Sequence, residues 1–158
     1  MKKLFVLLIL LLSFGRSQAA DIEARTGILG GDGWGLQTGA YINFPQSRLF
    51  SIQTGLLLHT AGNSFSYGDD WNIDFFVPVY ASFHIPLSDK VNLRLNAGAY
   101  TGSGESWNLG ATAAVGIEVK RFYVGVNYFQ NCVNDRDLKL GLSVAVSYTH
   151  LTLPTNSL

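Results

Sequence analysis

The sequence predicts an all-β protein: a closed, antiparallel, up-and-down transmembrane barrel of about eight strands. Three observations predict it. Nearly every segment after residue 20 alternates apolar and polar residues over about ten positions, the period of a strand with two unlike faces. The tryptophans Trp34, Trp71 and Trp107 all stand at the same end of that alternation. The face opposite the apolar one is polar, charged or glycine, which suits a barrel with lipid outside and a wet or ion-paired interior.

Residues 1–19 read as a secretory signal peptide. Lys2 and Lys3 supply the positive start, Leu4 to Leu12 the apolar core, and Ser17-Gln18-Ala19 the small residues of a cleavage site. The apolar run is shorter than the about 20 residues a transmembrane helix needs. Residues 20–148 form the barrel domain. Its first strand, Ile22 to Leu29, ends at the turn signal Gly30-Gly31-Asp32-Gly33. The second, Trp34 to Phe44, puts Trp34, Leu36, Ile42 and Phe44 on one face and Gln37, Tyr41 and Asn43 on the other. Pro45-Gln46-Ser47-Arg48 turns the chain into the third, Leu49 to Thr60, where Ile52, Leu56 and Leu58 oppose Ser51, Gln53 and His59. A polar loop, Ala61 to Asp70, follows.

The fourth strand, Trp71 to Ile85, carries Pro78 inside an alternating run. Proline lacks a ladder donor and is normally excluded from central strands; a bulge at Pro78 would resolve the conflict. The fifth runs from Val91 to Thr101, the sixth from Trp107 to Val119, the seventh from Phe122 to Phe129 and the eighth from Leu138 to Tyr148. Connections alternate in kind. Those near Pro45, Pro86 and Lys120 are short, and Phe44, Phe50, Phe83 and Phe122 flank them. The others are longer and rich in Gly, Asn, Asp and Ser. Short turns belong on the periplasmic side and longer loops outside. The tryptophans then make an outer aromatic girdle and the phenylalanines an inner one, because such rings favour membrane interfaces.

The inward face holds Glu23, Arg25, Asp74, Arg94, Glu118 and Lys139, with balanced signs. A charge inside a narrow barrel must be paired or hydrated. An ion-paired, filled interior is therefore expected; an open channel needs more strands. Inward glycines leave room for Tyr41, Tyr80, Tyr100 and Tyr123 to fold over them.

Three stretches resemble the small outer-membrane β-barrel domain family of Gram-negative bacteria, the porin-like OmpX/OmpA type. Ile73-Asp74-Phe75-Phe76-Val77-Pro78-Val79-Tyr80-Ala81 resembles that family's fourth strand, proline included. Leu95-Asn96-Ala97-Gly98-Ala99-Tyr100 resembles the next strand. Ala111 to Phe122, with Val115-Gly116-Ile117-Glu118-Val119, resembles the penultimate hairpin. The resemblance implies an eight-stranded barrel with little agreed biochemical activity. It also implies a terminal aromatic residue read by the outer-membrane assembly machinery. This sequence ends in Ser157-Leu158 instead. Residues 146–158 resemble translated sequencing-adapter read-through, and residues 149–158 are read as a non-native tail. Val146 to Tyr148 still fit the strand pattern.

The partners expected are outer-membrane lipid and that assembly machinery; no loop motif names an extracellular partner. The formal net charge of zero gives nothing for nucleic acid to bind. No cofactor and no metal are expected. Cys132 is the only cysteine, so no disulfide framework or cysteine zinc site forms within the chain. The glycines at 30, 31, 33 and 35 lie between strands with no helix following, unlike a nucleotide fingerprint. Catalysis is not expected either. A lipid-modifying enzyme would draw on His59 as base, with Ser64, Ser66, Asp69 and Asp70 nearby in sequence, but no spacing is diagnostic. His84 reads as a lining residue. A second alternative, a secreted soluble carrier of a small ligand, needs the apolar face turned inward.

Overall fold

The computed structural model describes residues 20–31, 34–61, 72–103, 107–133 and 138–148. Eight strands follow one another: β1 (Asp21–Gly30), β2 (Trp34–Pro45), β3 (Phe50–Ala61), β4 (Asn72–Ser88), β5 (Val91–Ser103), β6 (Trp107–Val119), β7 (Phe122–Asn131) and β8 (Leu138–Tyr148). Each pairs antiparallel with its neighbours in sequence, and β1 pairs with β8 from Ile22↔Tyr148 to Gly30↔Leu140, closing the barrel. Closure leaves no free edge, the condition for placing a sheet in hydrocarbon. The strands are 10 to 17 residues long, against the roughly 9–11 needed to cross a bilayer at a tilt. Among the described residues no helix is long and apolar enough to cross a membrane, which bears only on helices.

The conflict at Pro78 is resolved without a bulge there. The ladder between β4 and β5 runs unbroken through Pro78↔Tyr100, and its register shifts later, between Pro86 and Ser88. Toward β3, pairing stops between Thr54↔Val79 and Leu57↔Phe76 and resumes in the same register. The proline's missing donor thus faces β3. There the Thr54 hydroxyl donates to the Pro78 carbonyl at 3.0 Å. A side-chain bond replaces part of the ladder, and no inserted residue is needed.

Alternation decides which side chains meet the interior. Leu36, Leu56, Val79, Ile117 and Leu142 lie outside, each about half exposed. Tyr41, Tyr80, Tyr123, Gln53 and Arg94 lie inside at 1 % exposure or less. Inward glycines make this possible. A Cβ added to Gly116 would lie 2.6 Å from the Tyr123 ring, and one added to Gly110 would lie 2.6 Å from the Tyr100 ring. These residues let aromatic rings lie across a lumen too narrow to hold them otherwise.

Candidate functional site

The outer surface carries the first candidate site. Trp34 and Trp107 stand at the loop end, 60 % and 64 % exposed. Phe44, Phe83 and Phe122 are exposed at the turn end, and the half-buried Phe50 packs its ring 5.3 Å from that of Phe83. Trp71 falls outside the described residues. From Trp34 to Phe44 is ten steps along one strand, or about 33 Å. At a tilt of roughly 45° the two aromatic rows stand about 23 Å apart, close to the apolar band of a small membrane barrel. Between them the surface is largely Leu, Ile, Val and Ala.

The interior carries the second. Glu23 on β1 is its centre. Arg25 donates to Glu23 Oε1 from Nε at 3.0 Å and from Nη2 at 2.6 Å. Arg94, across the lumen on β5, donates from Nη1 to Glu23 Oε2 at 2.6 Å. Glu118 lies 3.5 Å from the same Arg94 nitrogen, and His84 Nδ1 lies 3.6 Å from Glu118. Aromatic faces complete the cage: the Arg25 guanidinium sits 4.3 Å from the Tyr41 ring centre, and Tyr123 lies 5.0 Å from both arginines. A buried guanidinium keeps its charge only with such partners.

Asp74 and Lys139 form a separate group near the loop end, 3.5 Å apart, with His59 Nδ1 3.8 Å from the same carboxylate oxygen. Along β4 the order is Asp74, Phe76, Tyr80, Ser82, His84, so the two ion groups sit at opposite ends of one inward row. Phe76, Tyr100 and Phe129 pack between them with ring centres 5.3 to 5.9 Å apart. Below them Tyr80 bonds Thr112 at 3.0 Å, and Ser82 donates to Asn96 at 2.7 Å. The six inward charges thus make two networks separated by an aromatic septum, not one continuous chain.

His59 is 4 % exposed and faces inward, directly opposite Asp74 in the ladder. Ser64, Ser66, Asp69 and Asp70 lie outside the described residues. His84 lines the turn-end mouth, where Ser51 Oγ is 3.0 Å from its Nε2. The part sequence reasoning missed is that mouth itself. A cavity of about 280 Å³ opens among the turns, with Arg48, Arg94 and Arg121 on its wall. The signal was available: Arg48 and Lys120-Arg121 sit in turns that the barrel gathers at one end. No group of three or more metal-ligating side chains occurs among the described residues.

No family model matches the sequence, and no curated protein matches it. Solved structures do. The chain is similar to the N-terminal β-barrel domain of Pseudomonas aeruginosa OprF, with a TM-score of 0.58 at 11 % identity over 84 % of this chain and 98 % of that one. It is similar to Neisserial surface protein A, with a TM-score of 0.59 at 9 % identity over 83 % and 96 %. A de novo designed transmembrane β-barrel aligns with a TM-score of 0.53 at 14 % identity, over 84 % and 98 %. These likenesses are of fold. They agree with the closed eight-stranded barrel traced above.

Proposed function

We propose that this chain is an integral outer-membrane β-barrel with a filled polar interior, serving a structural or surface-interaction role without catalysis. The observation that carries the reading is the outer wall. Large apolar side chains, from Leu36 at 57 % to Leu142 at 55 % exposure, cover it between two aromatic rows. A soluble protein rarely exposes apolar patches beyond a few hundred Å². A secreted carrier needs the reverse arrangement, with its apolar side chains around the ligand. The fold likeness to barrels of bacterial surface proteins supports the same reading. Residues 1–19 would export the chain, and the assembly machinery would insert it. The segments joining β1 to β2, β3 to β4, β5 to β6 and β7 to β8 would face outward and meet an extracellular partner.

The interior supports a plug over a pore. Arg25, Arg94, Tyr41, Tyr80, Tyr123 and Phe129 are each at most 2 % exposed and fill the section. The test is fractionation with planar-bilayer recording on the full chain. The protein is expected in the membrane fraction, dependent on detergent once extracted, with no steady conductance. A monomer stable in plain buffer overturns the membrane reading, and stepwise conductance overturns the plug.

The His59–Asp74 pair favours a second reading, a lipid-modifying enzyme. Asp74 also holds Lys139, so the pair belongs to an ion cluster with a structural use. His59→Ala is expected to leave the cell's lipid profile unchanged; a lost or altered lipid species would favour the enzyme.

A further inference from the structure

The turn-end mouth has a composition that neither wall nor plug requires. Its cavity measures about 280 Å³. At its base stands Arg94, 1 % exposed, whose Nη1 is occupied by Glu23 and Glu118 while Nε and Nη2 have no hydrogen-bond partner among the described residues. Asn43, also on the wall, has an unpartnered side-chain oxygen, and rotation of its amide would present a donor instead. Arg48, Lys120 and Arg121 form an exposed rim.

The charges do not cancel. Asp21 and Glu118 on the wall and Glu23 behind it are the three carboxylates here among the described residues. They face five cations, the three of the rim together with Arg94 and Arg25. Two positive charges are left over with His84 neutral. Arginines at the base and the rim offer planar forks of N–H donors, the geometry that matches an oxyanion. Ser47, Ser51 and Ser147 add hydroxyls around the same space.

We propose that this mouth binds a phosphate group, with Arg94 at its base and Arg48 and Arg121 closing over it from the rim. Carboxylates alone leave both the excess charge and the free Arg94 donors unmatched; one doubly charged phosphate meets both. The phosphate belongs either to a small soluble monoester or to a phospholipid headgroup of the adjoining leaflet.

The test uses the refolded full chain in maltoside micelles at constant ionic strength. Inorganic phosphate and glycerol phosphate are titrated calorimetrically, with acetate for comparison. Saturable one-to-one phosphate binding is expected, weakened roughly tenfold or more in the Arg48→Gln/Arg121→Gln double variant. Lys90→Gln removes an exposed turn cation outside the cavity and is expected to change affinity less than about twofold. Both sets of substitutions fall on exposed side chains, so circular dichroism and gel mobility should match the parent. Native mass spectrometry with added phosphatidylglycerol separates the sources. A retained lipid that is lost in the double variant and competes with phosphate identifies a headgroup site; phosphate binding without lipid retention identifies a soluble monoester. Non-saturable binding, equal binding of acetate, or equal loss in Lys90→Gln overturns the proposal. Because binding is read in micelles, its failure leaves the outer-membrane reading standing.

Discussion

Replacing Glu23 by Gln tests whether the interior network holds the barrel together. The carboxylate and both arginine side chains are at most 2 % exposed. Glu23 accepts two bonds from Arg25 and one from Arg94, the shortest at 2.6 Å. The substitution removes the charge and keeps the volume, so packing is not the variable. Arg94 keeps Glu118 at 3.5 Å. Arg25 keeps an amide oxygen in place of the carboxylate, together with the Tyr41 and Tyr123 faces, each face worth about 0.5–2 kcal/mol. Breaking a buried pair from one side costs about 3–5 kcal/mol, and the remaining amide oxygen places this case toward the lower value. Since a domain of this kind is stable by about 5–15 kcal/mol, the loss is readily measured. The assay is reversible urea unfolding in phospholipid vesicles, followed by the fluorescence of the girdle tryptophans. A joint Glu23→Leu/Arg25→Met replacement should recover most of the loss, because it removes the Glu23–Arg25 pair together and leaves Arg94 with Glu118. If Glu23→Gln unfolds within about 0.5 kcal/mol of the parent, the network is not a stabilising element and the reasoning fails.

Three further outcomes are expected. Leu56→Arg places a charge on the outer face opposite Ala40, near the middle of the apolar band proposed to meet lipid. In vesicles it should destabilise by about 2–4 kcal/mol, and a neutral result in the same unfolding assay would contradict the lipid contact. Gly116→Ala drives a methyl toward the Tyr123 ring and the Gly125 backbone; overpacking should cost about 1–3 kcal/mol, with a shift in near-ultraviolet circular dichroism as Tyr123 moves. Lys120 has a φ of 57° at the start of the two-residue turn between Val119 and Phe122. Lys120→Gly should therefore raise the urea midpoint by about 0.5–1 kcal/mol equivalent, since glycine carries no Cβ penalty there.

Much of the barrel was legible because alternation is a local property. The faces of Trp34 to Phe44 follow from period two alone, and the sixth and eighth strands begin and end where the alternation does. Other limits moved by one to three residues, as where the fourth strand continues past Ile85 to Ser88, because pairing extends a strand where pattern fades into a turn. Pro78 shows the boundary of such reasoning. Sequence identifies the lost donor, but which neighbour faces it depends on register, and the Thr54 hydroxyl that helps there is 24 positions away.

Neighbours along the chain were enough to predict about eight strands and to divide their alternating residues between two faces, because period two is a local property. Tertiary structure decided which charges meet. Glu23 and Arg94 are 71 positions apart and touch only because closure and strand stagger bring β1 and β5 to one level of the lumen. The same stagger sends Asp74 and Lys139 to the opposite end, and gathers Arg48 and Arg121 from separate turns around one cavity. Distances across a closed barrel follow from shear and tilt, quantities no stretch of sequence carries alone.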